Sequence, residues 1–271
     1  MPLADAAGAR IWYETAGAGT PLLLIAGFGS NTTVYWANMP ALARRFRVIA
    51  MDPRGSGRSD VPAGPYTMAM LADDAAAVLD AAGAPTAHVL GTSFGGMIAQ
   101  HVALRHPARV RRLALGCTTP GGAAHVLPPP DRIARFLAAA EIADPAEAVR
   151  SLYPLHYSDA FSAAHDAEIV ERARATAALR STAEGRAGQL AAVQAHDTLA
   201  ELPRITAPTL VLHGSDDGIV PAENGRILAS VIAGARLRMY EGARHLFFVE
   251  CAEAVNAELA AFFTGDGASP K

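Results

Sequence analysis

The sequence is poor in cysteine: among its 271 residues only Cys117 and Cys251 carry a thiol, and each lies in an apolar stretch. The two could pair, but two buried thiols are the interpretation that the sequence favours. Unpaired thiols are typical of a reducing compartment. We therefore expect a cytoplasmic protein without a disulfide.

Charge is also scarce, since charged residues make up 18 % of the chain and the formal net charge is −3. Such a chain does not attract a polyanion, so we expect no nucleic-acid partner. The longest apolar run, residues 21–29, is far shorter than the roughly 20 residues that cross a bilayer. Residues 1–15 show no signal peptide. We expect no membrane partner, and the 51 % of hydrophobic residues predict a globular protein with a sizeable core.

Short apolar runs alternate with longer segments of helical periodicity. Continuous apolarity is typical of parallel strands that are buried on both faces, and such runs lie at residues 22–26, 47–51, 88–90, 110–117 and 209–213. A further strand is predicted at 235–240 and an antiparallel leading strand at 10–14. Helices are predicted at 67–83, 95–106, 222–233 and 252–263. The alternation predicts an α/β fold with a mostly parallel twisted sheet flanked by helices.

The alternation stops between residues 118 and 207, where no buried strand is visible. Helical stretches are predicted there at 131–140, 144–152, 162–179 and 184–195. Ninety residues without structure would be unusual in a compact domain, whereas an inserted helical unit is common. We therefore predict a core made of residues 1–119 and 200–271, with a helical cap at 120–199 inserted in it.

The clearest chemical signal is the segment 91–96, Gly-Thr-Ser-Phe-Gly-Gly, between a predicted strand and a predicted helix. A tight strand-to-helix turn lifts a serine hydroxyl clear of the sheet, and glycines two residues on either side allow the backbone to approach closely. Ser93 is therefore a candidate nucleophile. The alternative is a glycine-rich turn with an incidental serine.

A serine nucleophile needs a base and a carboxylate that orients the base. The strand at 209–213 is followed by Asp216 and Asp217, at the sheet edge where α/β proteins hold ligands. We favour Asp217, and Asp216 is the competing choice. His245, in a loop after the last predicted strand, is the candidate base. The order Ser93, Asp217, His245 is the order of the hydrolase arrangement.

Hydrogen-bond donors must also stabilise the oxyanion that forms when the serine attacks. The backbone amide of Phe94, directly after Ser93, is one candidate. The amide of Phe28, in the glycine-containing loop after the strand at 22–26, is the other, although this loop could also be an ordinary turn. No His-Glu-x-x-His motif and no Cys/His cluster with ligand spacing occurs, so we expect neither a metal nor another cofactor.

Five ordered segments together resemble the α/β-hydrolase superfamily: Ala-Gly-Phe-Gly at 26–29, the segment 52–60, the segment 91–96, His-Gly-Ser-Asp-Asp at 213–217 and Gly-Ala-Arg-His at 242–245. The chain is most similar to 3-oxoadipate enol-lactonase-like proteins and related esterases. The resemblance implies that Ser93 is the nucleophile, His245 the base and then acid, and Asp217 the residue that orients it. Ala26 stands where many members carry histidine. The segment 52–60 is, by resemblance, a structural turn.

These observations predict a cofactor-free serine hydrolase that cleaves a small carboxylic ester or lactone through an acyl-enzyme. An acyl-transfer or thioesterase variant is an alternative, and so is a non-catalytic small-molecule-binding protein on the same scaffold. The predicted cap would supply substrate contacts. Trp36, Tyr153, His156 and Tyr157 are candidates, although such side chains are often helix core instead.

Overall fold

The computed structural model describes residues 2–265, which form an eight-stranded sheet with helices on both faces. The order across the sheet is β1-β2-β4-β3-β5-β6-β7-β8, with β3 to β8 parallel and β1 and β2 antiparallel to their neighbours. The strands are β1 Leu3–Ala6, β2 Ala9–Ala16, β3 Pro21–Ile25, β4 Arg47–Met51, β5 Ala87–Thr92, β6 Val110–Gly116, β7 Thr209–Gly214 and β8 Arg236–Tyr240. The predicted fold class is confirmed.

Eleven α-helices accompany the strands in the described part of the chain. Short 3₁₀ turns join several of them. The helices are α1 Met39–Leu42, α2 Met68–Ala81, α3 Phe94–Arg105, α4 Pro130–Ala138, α5 Pro145–Ser151, α6 Tyr153–His156, α7 Asp159–Ala175, α8 Ala183–Gln194, α9 Glu223–Val231, α10 Phe247–Glu250 and α11 Ala252–Thr264.

The central strands are apolar throughout because each of their faces meets a separate core. In β3, Leu23 and Ile25 pack into the core that contains α2 and α3, whereas Leu22 and Leu24 pack into the core that contains α11. Alternate residues of a strand point to opposite faces, so a strand covered on both sides has no polar face. This arrangement fixes the carboxyl ends of β3, β5, β6 and β7 side by side.

The first strand, β1, was not predicted. Its four residues pair with β2 at the edge of the sheet, where Leu3 lies opposite Trp12, and Leu3 is exposed. A short edge strand with one exposed face carries no continuous apolar run, so the pattern used for the buried strands does not detect it.

Helices α4 to α8 lie between β6 and β7, in the segment where no strand was predicted. The two chain segments that lead into and out of these helices pair with each other: the Gly122 amide donates to His196 O at 3.1 Å and the Thr198 amide donates to Pro120 O at 2.9 Å. We call α4 to α8 the cap. The division of the chain into core and cap at 120 and 199 stays a prediction, and residues 266–271 of the predicted core lie outside the described residues.

Both cysteines are free thiols; Cys117 is buried as expected, whereas Cys251 is only partly buried. Within residues 2–265, none of the helices has the combination of length and apolar character that crossing a bilayer requires.

Candidate active site

Ser93 stands at the turn between β5 and α3 in a backbone conformation that side chains rarely adopt, with φ 56° and ψ −122°. The turn is tight because its two glycines are pressed against backbone atoms. A Cβ at Gly91 would overlap the carbonyl of Gly95, and a Cβ at Gly95 would overlap Ile25 O and lie 2.7 Å from Ala26 O. This strained turn holds the serine at the carboxyl end of β5.

The loop after β3 approaches the same serine. A Cβ built at Gly27 would lie 3.8 Å from Ser93 Oγ, and the rings of Phe28 and Phe94 meet edge-on with centroids 6.2 Å apart. Among the hydrogen bonds of residues 2–265, none uses the amide of Phe28 or of Phe94 as donor. The two amides expected to form an oxyanion hole are therefore unengaged donors beside Ser93.

Asp217 and His245 form a buried pair. His245 Nδ1 lies 2.8 Å from Oδ2 and 3.0 Å from Oδ1 of Asp217. The carboxylate also accepts hydrogen bonds from the amides of Ile219 at 2.8 Å and Val220 at 2.9 Å. Burial alone would raise the pKa of the Asp217 carboxyl, but the charge of His245 and hydrogen bonds from His213 and His245 outweigh burial and hold the pKa well below its usual value.

Of the two aspartates that the sequence left open, only Asp217 contacts His245 in the described chain. Asp216 is exposed and its carboxylate accepts a hydrogen bond from Ser215 Oγ at 2.9 Å. An ionised and buried carboxylate on Nδ1 orients the ring so that Nε2 is free to take a proton.

Cys117 lies beside both the serine turn and the Asp217–His245 pair, since the Ser93 amide donates to the carbonyl of the preceding residue, Gly116, at 2.8 Å. Its Sγ and polar atoms of Asp217 and His245 all lie within 4.8 Å of one another. Burial, and then the charge of Asp217, raise the pKa of the Cys117 thiol well above its usual value, so the thiol is neutral. These three side chains are metal-ligand types, but the hydrogen bond between Asp217 and His245 already joins two of the donors.

The part of the chain that the structure describes contains no hydrogen bond between the Ser93 hydroxyl and the His245 ring. Ser93 and His245 nevertheless both lie beside the Cys117 thiol. Hydrogen bonds of this kind are often long before substrate binds and tighten in the reacting complex.

A cavity of about 940 Å³ lies between the cap and the loop that carries Phe28. Three of the four predicted substrate contacts, Trp36, His156 and Tyr157, are in its wall. Tyr153 is not in the wall because its hydroxyl donates to Asp166 on α7 at 3.0 Å and its ring packs against Tyr157. The cavity is large enough for a drug-sized ligand.

Ser93 and His245 are not in the wall of this cavity, but a line of rings extends from the wall to His245. Phe136 of α4 lies between Phe28 and His156, with centroid distances of 6.2 Å and 6.4 Å. His156 in turn stacks on His245 at 6.1 Å with an interplanar angle of 24°. Burial, together with the charge of His245, lowers the pKa of His156 to about 3, so its ring is neutral at ordinary pH.

The structure also reveals polar contacts that the sequence analysis missed. Gln189 of α8 is fully buried and its Oε1 accepts a hydrogen bond from the Gly29 amide at 2.8 Å, next to Phe28. His213 lies beside Asp217, and the guanidinium of Arg172 lies 3.8 Å from the centre of the Trp36 ring at the cavity. The only sequence signal among these was the position of His213 at the end of a buried strand.

Comparison with known proteins defines the class. A family model described as the alpha/beta hydrolase fold matches residues 20–251, so the chain belongs to the α/β-hydrolase family. The resemblance inferred from the five sequence segments is thereby confirmed.

Individual members of the family are similar to this chain over most of its length. RutD of Azorhizobium caulinodans, a protein named as a carbamate hydrolase, is 33 % identical over 97 % of this chain and 98 % of its own length. The 2-hydroxymuconate semialdehyde hydrolase of Pseudomonas sp. strain CF600 is 36 % identical over 90 % of this chain and 87 % of its own. The enol-lactonase from Burkholderia xenovorans LB400 superposes with a TM-score of 0.84 at 27 % identity, over 97 % of this chain and 100 % of that chain. The chain is a hydrolase of this family, and its relatives differ in the bond that they cleave.

Proposed function

We propose that the protein is a cofactor-free serine hydrolase that cleaves a carboxylic ester or lactone. Ser93 is the nucleophile, His245 the general base, and Asp217 the carboxylate that orients the base. The observation that carries this proposal is the buried hydrogen bond between Asp217 and His245 Nδ1, which adjoins the same thiol, Cys117, as the strained turn of Ser93.

The reaction has two halves. In the first, the Ser93 hydroxyl turns toward His245 Nε2, loses its proton to that nitrogen and attacks the substrate carbonyl carbon. The carbonyl oxygen becomes an oxyanion that accepts hydrogen bonds from the amides of Phe28 and Phe94. The imidazolium then gives its proton to the departing alkoxide, which leaves an acyl ester on Ser93.

In the second half, His245 takes a proton from water, and the resulting hydroxide attacks the acyl carbon. The proton returns from His245 to Ser93 Oγ as the acid is released. The ionised Asp217 stabilises the imidazolium in both halves, and it stays a carboxylate throughout because its pKa is held low.

We place the body of the substrate in the cavity under the cap, against Trp36, His156 and Tyr157. Tyr153 is not part of this proposal because Asp166 engages its hydroxyl. The wall is mostly apolar, which suits an uncharged acyl or alcohol group, and the likeness to an enol-lactonase favours an ester or lactone. Hydrolysis of a carbamate or of 2-hydroxymuconate semialdehyde, the substrates in the names of the two other relatives, is the competing reaction.

The first test is substitution of the nucleophile. Ser93→Ala is expected to lower kcat by about 10⁶ and to abolish labelling by a fluorophosphonate probe. The matched control is Ser230→Ala, which removes an exposed hydroxyl on α9 that donates only to Ile227 O. Ester turnover that survives in Ser93→Ala would rule out Ser93 as the nucleophile. A wild type that neither turns over esters nor takes the label would favour a non-catalytic binding protein instead.

The second test separates the candidate substrates. Wild-type kcat/KM is measured on p-nitrophenyl esters of increasing acyl length, lactones, enol-lactones, aryl carbamates, thioesters and a vinylogous 1,5-diketone. The proposal expects the highest values among esters or lactones. A carbamate or C–C substrate that exceeds every ester by tenfold or more would replace the ester assignment while leaving the role of Ser93 in place.

A further inference from the structure

A second histidine contacts the carboxylate that orients the proposed base. His213, in β7, is completely buried, and its Nε2 lies 2.8 Å from Val220 O and 3.3 Å from Oδ2 of Asp217. No step of the reaction described above uses this residue.

The contacts of the ring define where its proton lies. A carbonyl oxygen only accepts hydrogen bonds, so Nε2 carries the hydrogen that faces Val220 O. The other nitrogen, Nδ1, is buried and has no hydrogen-bond partner in the described chain. A proton on Nδ1 would have no acceptor, so the hydrogen that the ring donates is the one on Nε2.

The same hydrogen bond holds the turn on which Asp217 stands. The Val220 amide donates to Asp217 Oδ1 at 2.9 Å, and the Val220 carbonyl accepts from His213. The backbone of Val220 is therefore held on both sides, its amide by the carboxylate and its carbonyl by the histidine. His213 lies next to Asp217 Oδ2 and also acts on Asp217 through the Val220 backbone.

The ring is held from the opposite side by a glycine. A Cβ at Gly225 of α9 would lie only 2.6 Å from His213 Nδ1 and 3.3 Å from its Cβ. A larger residue at 225 would push the ring toward the carboxylate. The close fit leaves the ring little freedom to rotate.

We propose that His213 is a positioning residue that fixes the Asp217 carboxylate for its hydrogen bond to His245. This inference rests on the proposed function, because it assigns His213 a task only if Asp217 and His245 act together. His213 touches neither the substrate cavity nor Ser93 in the described contacts, so it acts through Asp217.

The consequence for activity follows from the polar contacts of the carboxylate. Without His213, Asp217 loses the Nε2 contact at 3.3 Å and the support of the Val220 backbone, and it becomes a stronger acceptor toward the proton on His245, so the imidazolium is stabilised. The titratable groups that face the pair from the packed elements are Cys117, His156 and His213. Cys117 and His156 are neutral and stay unchanged when His213 is replaced.

The experiment compares His213→Leu with His213→Gln, whose amide nitrogen can take the place of Nε2. We expect His213→Leu to lower kcat by about tenfold with little change in KM, and to move the acidic limb of the kcat/KM profile to higher pH. His213→Gln should restore most of the lost kcat and return the limb toward its wild-type position. The low-field proton resonance of the His245 Nδ1–H should shift in the leucine variant and not in the glutamine variant.

The matched control is His88→Leu. His88 is also buried with an unpartnered Nδ1, but it stacks on Phe263 far from the candidate site. His88→Leu should lower stability and leave the pH profile and the resonance unchanged. If His213→Leu does not fold, His213→Asn replaces it, because the shorter amide cannot reach Val220 O.

The inference is wrong if a folded His213→Leu keeps the wild-type kcat, pH profile and resonance, or if His213→Gln is as impaired as the leucine variant. Failure of the underlying function has a different signature, since either Ser93→Ala would then remain active or the wild type itself would be inactive. The two outcomes are read from separate variants.

Discussion

Two helices of the cap, α8 and α4, differ in how they meet the rest of the molecule. Helix α8 is locked against the core: Gln189 is fully buried, and a Cβ at Gly188 would lie 2.6 Å from the Tyr66 ring. Helix α4 has no buried residue, and its Ile133 and Leu137 are 38 % and 44 % exposed. Both helices adjoin the same cavity, so the cap has one anchored side and one weakly packed side.

The anchored side of the cap is hydrogen-bonded to the loop whose Phe28 amide is a candidate oxyanion donor. Besides accepting from the Gly29 amide, Gln189 donates to Arg54 O at 2.8 Å and so ties the loop of Phe28 to the loop after β4. The weakly packed side contributes Phe136 to the line of rings that ends at His245. One part of the cap is therefore bonded to the loop that carries Phe28, and another part borders the cavity with weakly packed side chains.

The largest effect should come from a substitution that removes the hydrogen bonds between the anchored side of the cap and the core. Gln189→Leu leaves the Gly29 amide and Arg54 O buried without a partner, and it frees the loop whose Phe28 amide should bind the oxyanion. We expect kcat to fall by about a hundredfold, with a smaller change in KM, measured on the best ester of the substrate panel.

Gln194→Leu is the control, since it makes the same change on the same helix at an exposed position. Equal activity in the two variants would contradict the assignment of Gln189 to the oxyanion loop.

The next largest effect is on the free energy of unfolding, and it distinguishes two isoleucines of the cap. Ile169 of α7 is buried and Ile133 of α4 is exposed. Ile169→Ala should lower the free energy of unfolding by about 2–5 kcal/mol, as buried truncations do, whereas Ile133→Ala should change it by less than about 0.5 kcal/mol. Urea unfolding measures both, and similar losses in the two variants would show that α4 is packed as firmly as α7.

A third effect depends on pH and concerns the segment that leads out of α8. His196 donates from Nε2 to Thr119 O at 3.0 Å and accepts from His101 at 3.2 Å. Burial lowers the pKa of His196 to about 4, so the folded protein keeps this ring neutral. The unfolded chain takes up a proton near the ordinary value of about 6.5, and therefore the stability from His196 is complete above that pH and is lost as the pH falls toward 4.

Urea unfolding at pH 7 and pH 5 tests this pH dependence. His196→Asn should lose less free energy of unfolding between the two pH values than the wild type does. His165→Asn, which replaces a histidine with 45 % side-chain exposure, should behave like the wild type. A His196→Asn variant whose stability falls as steeply as that of the wild type would contradict the prediction.

The smallest effect concerns the weakly packed side. Phe136→Ala removes one ring from the cavity wall, in the line that leads from Phe28 to His245. We expect kcat/KM to rise about threefold for long-chain p-nitrophenyl esters and to change little for acetate, since one side chain in an apolar pocket discriminates weakly. Phe161→Ala, on α7 and outside the cavity wall, is the control. An identical acyl-length profile in Phe136→Ala and the wild type would exclude a role for this ring in access.

The sequence was sufficient for those parts of the molecule that follow from local patterns. Continuous apolar runs located the central strands, and glycines at 91 and 95 located the turn of Ser93. The pairing of Asp217 with His245 was predicted from their places after β7 and β8, and the structure brings them into contact. Their catalytic roles, and that of Ser93, stay predictions.

The contacts that could not be predicted from the sequence are those between segments far apart in the chain. Gln189 and Gly29 are 160 residues apart, and nothing in a helical pattern distinguishes a buried glutamine from an exposed one. Tyr153 was predicted to touch substrate because it is aromatic and lies in the cap, but a neighbouring acid on α7 engages its hydroxyl. Side-chain direction depends on tertiary packing, which residue type alone does not determine.

One contact between cap and core bears on protein engineering. The His245 amide donates to Leu155 O at 3.2 Å, the Leu246 amide donates to His156 O at 3.0 Å, and Arg244 donates to Tyr157 O at 2.6 Å. The backbone that carries the proposed base is thus held by hydrogen bonds to α6 as well as by its connection to the sheet. A chimera that exchanges the whole insertion for that of a relative would replace the scaffold of its own base, whereas a graft limited to α4 and the linker before it would alter substrate selection and leave that scaffold intact.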